Sequence, residues 1–315
     1  MEIPASQQKH GKIIIYTLAA ALIGFTLIGP LVGFLFAIPF FDGSMLSLVD
    51  AIANPVAYPQ VKTAYYVIQS CTTTVGLLIL PWLTYRAFNS EANSLFQWNK
   101  KENHYTFYAM LILMTFTFIL IISPISVWNA NLDLEPILGE AGVYLKNLEK
   151  KLEEVTYFLT DFDSGWQYLA GLVVIAILPA FAEEFVFRGV IQKHFVALTQ
   201  NAHVGIWVSA ILFSAFHMQF FGFFPRMLLG VLFGYIFYWT GSLWLAIFAH
   251  FCNNAIALSS IYFAKLKWID DNVNNSNESA PWFIVLFGSI IVVFLLNQFY
   301  HFHKQKNFGS ASEIQ

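Results

Sequence analysis

The sequence predicts an all-α, polytopic membrane protein with about eight transmembrane helices. The chain has 315 residues, of which 57% are hydrophobic and only 11% are charged, and its mean hydropathy is +0.61. A soluble protein of average composition carries about 25% charged residues. Long apolar runs account for the difference. Backbone groups in lipid must be paired within their own segment, so these runs are expected to be helices.

Eight apolar segments approach or exceed the length needed to cross a hydrocarbon layer of about 30 Å, at about 1.5 Å per helical residue. They cover residues 13–40, 63–84, 105–127, 166–187, 203–221, 226–240, 243–263 and 282–300. The sixth segment is short and begins directly after the sequence GFFPR. The first is too long for the apolar core of a signal peptide, so we expect it to be retained as a transmembrane helix.

The distribution of apolar and charged residues predicts four regions along the chain. They are an N-terminal three-helix membrane region, an amphipathic charged extramembrane segment, a helical core, and a polar loop with a final transmembrane helix and tail: 1–128, 129–165, 166–263 and 264–315. Loop lysines and arginines are slightly more frequent on the side of the N-terminus, which predicts cytoplasmic N- and C-termini. We expect an integral protein of a bacterial inner membrane.

Composition also excludes several classes of function. The net charge of −3 is too small to indicate a nucleic-acid partner. The two cysteines, Cys71 and Cys252, lie in apolar segments and form neither a metal-binding pair nor a disulfide framework. A nucleic-acid-binding protein and a small disulfide-bonded fold are therefore both excluded.

One stretch of the core carries three charged residues in an otherwise apolar segment. The sequence PAFAEEFVFRG, residues 179–189, contains Glu183, Glu184 and Arg188. Each ionised side chain at the bilayer centre costs roughly 2.5–3.5 kcal/mol on insertion scales. Residues four apart share a helix face, so Glu184 and Arg188 are expected to pair, whereas Glu183 points about 100° away. Taken alone, such a pair is equally consistent with a structural clamp.

Two further polar motifs lie on later core segments: FSAFH, which ends at His217, and HFCNN, which runs from His250 to Asn254. A single histidine or asparagine in a helical bundle is more often a packing residue than a catalytic one. Together with the first motif, however, they indicate one functional site. From the predicted turn at 199–202, Glu183 lies roughly 24 Å and His217 roughly 22 Å along their helices. We expect one cavity that opens on the side of this turn, the inner side.

These residue types support hydrolysis of an amide bond. A carboxylate and a histidine that face each other can activate a water molecule, and a histidine with a nearby amide can stabilise an oxyanion. Two histidines and a glutamate are also a ligand set of catalytic zinc sites, although the compact HExxH spacing is absent. A mechanism without a cofactor is favoured, and Zn²⁺ is the alternative. No GxSxG stretch indicates a serine nucleophile.

The three motifs, in this order, resemble those of the CAAX protease and bacteriocin-processing family of intramembrane proteases, which includes the eukaryotic prenyl-protein endoprotease. The family motifs EExxxR, FxxxH and HxxxN are represented here by Glu183 to Arg188, Phe213 to His217 and His250 to Asn254. The resemblance covers residues 166–263. It implies an all-helical intramembrane endopeptidase whose partners are membrane lipid and a peptide or lipidated protein substrate, without nucleic acid.

The resemblance also implies a role for each motif residue. Glu183 and His217 would activate the water, and His250 with Asn254 would form the oxyanion site. The remaining pair of the first motif, Glu184 and Arg188, would stabilise the arrangement of the helices. Prenylated C-terminal peptides, bacteriocin leader peptides and membrane-tethered regulators are all compatible substrates.

Two functions of other classes are also compatible with the sequence. A proton- or ion-coupled transporter also places ionisable residues inside the membrane, but it would predict inverted repeats, and none is visible. A non-catalytic scaffold would use the charged segment 129–165 to dock a partner. Such a scaffold would tolerate alanine at Glu183, which a protease would not.

Overall fold

The computed structural model describes residues 5–89, 92–96, 104–270 and 278–312, and these residues contain helices and no β-strand. The predicted all-α fold class is confirmed. The main helices are α1 Gln7–Phe40, α2 Met45–Ala53, α3 Pro59–Phe88, α4 Tyr105–Ala130, α5 Glu140–Thr160, α6 Gly165–Thr199, α7 Ala202–Phe216, α8 Phe223–Thr240, α9 Leu243–Lys265 and α10 Trp282–Gln305. The polar loop predicted at 270–279 lies largely outside the described residues.

Within the described part of the chain, seven helices are long and apolar enough to cross a membrane. They are α1, α3, α4, α6, α8 with the turn before it, α9 and α10. The fifth predicted segment, 203–221, forms α7, which has only 15 residues and spans about 22 Å. The sixth segment, which is short in the sequence, reaches 21 residues together with the turn before it. The fifth segment ends early because the chain leaves the helix at Met218, whose φ is +56°.

The central helix α6 is continuous over 35 residues. Ser164 caps its start, where its hydroxyl accepts a hydrogen bond from the Gln167 amide at 3.3 Å, and Gln200 ends it in the left-handed conformation. Two π-helical stretches, at 172–177 and 185–192, flank the pair of glutamates. Such wider turns are frequent at functional sites, because they rotate neighbouring side chains onto new faces.

Two apolar clusters pack on opposite sides of the site. In one, α6 packs against α1, α3 and α7, and in the other, α4, α8, α9 and α10 pack together. Helices α1 and α3 cross where Gly24 faces Gly76. A Cβ added to Gly24 would lie 2.2 Å from the Gly76 carbonyl oxygen, so only glycine allows this crossing. Helix α6 therefore has protein neighbours on most of its circumference and can hold charged groups away from lipid.

The amphipathic charged segment forms α5, which packs against the end of the bundle where α6 begins. The Tyr66 hydroxyl donates to the Leu159 carbonyl oxygen at 2.6 Å. Just beyond the helix, Lys265 forms ion pairs with Asp161 at 2.6 Å and Asp163 at 3.0 Å. These contacts tie α5 to α3 and α9. The four predicted region boundaries stay predictions, but a charged helix outside the apolar segments occurs where one was expected.

Candidate active site

The pair predicted from the helical spacing of Glu184 and Arg188 exists and extends to a third residue. The Arg188 guanidinium donates to Glu184 Oε1 at 2.8 Å, and the two side chains are 1% and 0% exposed. His250 Nδ1, on α9, lies 2.8 Å from the same oxygen. A carboxylate can only accept here, so Nδ1 carries the proton. Arg188 also donates to the Gly230 carbonyl oxygen of α8 at 3.0 Å, which joins three helices through one buried network.

Two phenylalanines enclose this network. The Arg188 guanidinium lies over the Phe213 ring at 4.4 Å and over the Phe233 ring at 5.6 Å. Phe233 stacks on the His250 ring at 5.2 Å, and Phe213 contacts both His217 and His250 edge to face. A guanidinium between aromatic faces gains cation–π attraction in a low-dielectric setting. This explains the phenylalanine of the second motif; Phe233 lies outside all three motifs, and sequence reasoning missed it.

Glu183 faces away from that network, as its position on the helix predicted, and meets His217 from α7. The distance from Glu183 Oε2 to His217 Nε2 is 3.6 Å. His217 Nδ1 lies 2.9 Å from the Phe213 carbonyl oxygen and must donate to it. Its Nε2 is therefore an unprotonated acceptor in the neutral ring, directed at the carboxylate. Glu183 Oε2 is buried and has no hydrogen-bond partner among the described residues.

Of the two polar residues of the third motif, His250 and Asn254, only His250 is shown to lie close to Glu183. His250 Nε2 lies 3.8 Å from Glu183 Oε2, so both histidines approach the same carboxylate oxygen. Asn254 lies one helical turn further along α9, where its Oδ1 accepts from the Asn253 amide at 3.1 Å. Its Nδ2 is thereby directed away from Asn253. The contacts of Asn254 neither confirm nor contradict its predicted role in the oxyanion site.

A cavity of about 380 Å³ lies in front of Glu183 and His217. Its wall is formed by five helices and the segment after α7: Phe25, Tyr65, Gln69, Leu152, Val155, Thr156, Leu159, Thr160, Ile175, Pro179, Phe216 and Gln219. The expectation that it would open on the side of the 199–202 turn is wrong. From Glu183 the cavity extends towards the start of α6, and α5 covers it. The number of residues along a helix determines how deep in the membrane a residue lies. It does not determine on which side the neighbouring helices leave a cavity.

The segment that follows His217 is held by residues that sequence reasoning missed. Asn129, at the end of α4, is fully buried; it donates to the Phe220 carbonyl oxygen at 3.0 Å and accepts from the Phe224 amide at 2.9 Å. Arg226 donates to Gln219 Oε1 at 2.9 Å. The spacing of residues along a helix could not have indicated Asn129, because it lies 91 residues from its partner Phe220 along the chain.

The zinc alternative stays a prediction, as does a mechanism without a cofactor. Among the described residues, no group of three or more His, Cys, Asp or Glu side chains that could hold a metal ion is found. Because Nδ1 of His217 and of His250 is engaged with a protein oxygen, the Nε2 atoms of both rings are left directed at Glu183 Oε2, at 3.6 Å and 3.8 Å.

Comparison with known proteins agrees with the motifs. Residues 165–256 match the family model described as Rce1-like, type II CAAX prenyl endopeptidase. The predicted resemblance is confirmed. This Rce1-like segment contains all six predicted site residues and runs from the start of α6 into α9. With the apolar helices, it supports an integral membrane protein of the protease class.

A curated relative extends the comparison to bacteria. The uncharacterized protein YpbD of Bacillus subtilis (strain 168) is 28% identical over 116 residues, which is 35% of this chain and 57% of that protein. The chain therefore spans a little over half the length of this relative. No solved structure gives a significant match. Helices α1, α3 and α5, which line part of the cavity, lie outside the Rce1-like segment.

Proposed function

We propose that this protein is an intramembrane endopeptidase that hydrolyses a peptide bond in a membrane-associated or lipidated protein. One observation carries the proposal. A carboxylate oxygen of Glu183 that has no hydrogen-bond partner in the described part of the chain lies close to the Nε2 atoms of two histidines, and Glu183 and His217 line a cavity. Glu183 Oε2 and His217 Nε2 are both acceptors, and a water molecule that donates to both at once would be held and polarised.

In the proposed reaction, the water oxygen attacks the carbonyl carbon of the scissile bond while Glu183 takes one of its protons. The carbonyl electron pair moves to the oxygen and forms a tetrahedral oxyanion. When the carbonyl re-forms, the bond from carbon to nitrogen breaks, and the proton passes from Glu183 to the leaving amine. His217 Nε2 accepts from the second water hydrogen and orients the attack. No other reactant is needed.

The buried network positions the remaining histidine in this proposal. Glu184 accepts the Nδ1 proton of His250, so a second proton on Nε2 gives an imidazolium that this carboxylate stabilises. That Nε2–H can donate to the oxyanion, together with the Nδ2 of Asn254. Arg188 compensates the charge of the buried Glu184 carboxylate.

The wall of the cavity supports a substrate with apolar groups next to the scissile bond. Leu152, Val155 and Leu159 of α5 form one side, and Ile175 and Pro179 of α6 form another. Such a wall suits an apolar peptide segment or a lipid group attached to it. A prenylated peptide, the substrate class in the name of the matching family, is one such substrate; an unlipidated membrane-bound peptide is another.

The test is cleavage by the purified protein in liposomes. A library of internally quenched peptides, with and without a farnesylated cysteine near the C-terminus, is incubated with wild type, Glu183→Gln and His217→Ala. We expect the wild type to cleave a subset and both variants to lose at least about 10²-fold in kcat. No cleavage of any peptide, or cleavage that survives Glu183→Gln, would refute the proposed function.

The same assay separates the two versions of the chemistry. We expect cleavage to persist after treatment with EDTA and 1,10-phenanthroline, since Glu183 itself serves as the base. Activity that is lost with chelator and restored by Zn²⁺ would assign the same side chains to metal binding. The chelators are added before the peptide, so that slow release of a bound ion is not missed.

A further inference from the structure

Gln219 lies beside the two residues proposed to activate water, although it belongs to none of the three motifs. It lines the same cavity as Glu183 and His217. Helix α7 ends just before His217, and Met218 adopts φ +56°, a conformation that non-glycine residues rarely take. This left-handed residue turns the chain, and Gln219 continues with extended backbone angles, φ −111° and ψ +103°. The turn places the glutamine side chain at the cavity wall.

Arg226 fixes the orientation of the Gln219 amide. Its guanidinium donates to Gln219 Oε1 at 2.9 Å and, more weakly, to the Gln219 carbonyl oxygen at 3.4 Å. A guanidinium has only donors, so the amide atom it contacts must be the oxygen. The amide Nε2 therefore points away from Arg226, and it has no hydrogen-bond partner among the described residues. A donor with a fixed direction is thus left on a residue that lines the cavity.

The backbone around this glutamine is also immobilised. The Asn129 side chain bonds to both ends of the turn that follows, at Phe220 and Phe224. The Ser214 hydroxyl donates to the Phe223 carbonyl oxygen at 2.6 Å. Donors that are held before the substrate arrives stabilise a developing charge without a cost of reorganisation. An oxyanion donor requires such anchoring. A side chain that only fills space does not require an amide with a fixed orientation.

We propose that Gln219 Nε2 donates a hydrogen bond to the carbonyl oxygen of the scissile bond and holds it as the oxyanion forms. Gln219 is then a catalytic residue, and Arg226 is a positioning residue that acts through it. The inference rests on the proposed peptide hydrolysis. It adds a donor from the segment after α7 to the oxyanion groups predicted on α9, and it places the reacting carbonyl between α6 and this segment.

The test uses the full-length protein and the library peptide that the wild type cleaves fastest. Gln219→Met keeps the length of the side chain and removes the donor; we expect kcat to fall by about 10²–10³-fold with KM nearly unchanged. Gln219→Glu keeps the shape and the contact with Arg226 but lacks the N–H, so it should lose as much. Arg226→Met should lower kcat in part, and Arg226→Lys, which retains a donor to Oε1, should recover some of the loss.

Met218→Ala is the matched control, because this neighbour in the same turn is 69% exposed. We expect its kcat to stay within about threefold of wild type. Thermal unfolding and peptide affinity, measured in a Glu183→Gln background, show that each variant is folded and binds. A kcat within about threefold of wild type in both Gln219 variants, or a change in KM alone, would overturn the inference. Loss of kcat in Gln219→Met but not in Gln219→Glu would also overturn it. Cleavage that survives Glu183→Gln would refute the proposed function first, whatever Gln219 does.

Discussion

The buried network of Arg188, Glu184 and His250 gives the sharpest prediction about stability. Arg188→Met removes the cation and leaves the Glu184 carboxylate, 0% exposed, without its ion-pair partner. Removing one partner of a buried pair costs about 3–5 kcal/mol. At about 2–4 °C per kcal/mol for a chain of this size class, the midpoint of thermal unfolding should fall by about 6–20 °C.

The assay follows a thiol-reactive fluorophore during heating in detergent, in a Cys71→Ser background. It reports exposure of Cys252, which is only 8% exposed in the folded protein. Two comparisons separate the ion pair from general damage. The double variant Glu184→Gln/Arg188→Met removes both charges and keeps an acceptor for His250, so it should be more stable than Arg188→Met alone.

The second comparison truncates an exposed pair. Lys265→Met breaks the contacts with Asp161 and Asp163, in which the side chains are 39%, 52% and 70% exposed, and should lower the unfolding midpoint far less than Arg188→Met does. The reasoning would be refuted if Arg188→Met shifted the midpoint by less than about 2 °C. It would equally be refuted if the double variant were less stable than Arg188→Met.

Three further predictions concern α5 and its side of the protein. Thr156→Trp fills part of the cavity and should lower kcat/KM by at least about tenfold in the peptide assay, whereas Tyr157→Trp, about 100° further round the helix and 75% exposed, should not; equal effects would contradict this. In a cysteine-free background, a membrane-impermeant maleimide should label Lys146→Cys in intact cells and leave Lys193→Cys unlabelled; the reverse pattern would invert the predicted orientation. Burial raises the pKa of Glu149, so the folded protein loses stability as the pH rises through this raised pKa and the carboxylate ionises. Glu149→Gln removes this charge and should raise the unfolding midpoint more at about pH 8 than at about pH 4. An equal change at both pH values would count against this prediction.

Together with the position of the cavity, the labelling experiment shows from which side of the membrane a substrate would enter. The cavity lies on the α5 side of Glu183, whereas the 199–202 turn lies at the other end of α6. With the predicted cytoplasmic termini, substrates would be cleaved from the outer side of the membrane. An inverted orientation would place the same cavity on the cytoplasmic side. Labelling therefore decides which compartment supplies the substrate.

The local part of this structure was predictable from the sequence. Apolar runs of membrane length can only be helices, because their backbone groups have no other partners in lipid. Within α6, a separation of four residues placed Arg188 beside Glu184, and adjacency placed Glu183 on another face. The turn at Gln200 also occurs where it was predicted. Each of these features depends on residues within about one or two helical turns.

Contacts between helices were decided only by the tertiary structure. The bond between His250 and Glu184 joins residues 66 positions apart, and Asn129 holds a turn 91 positions away. Helices that are apolar on every side show no periodic face that would indicate which neighbour packs against them. The sequence by itself therefore determined which polar residues lie within the apolar core segments and on which helices they lie. Packing decided that α5 covers the cavity and that Gln219 lines it, because these depend on how the helices pack against one another.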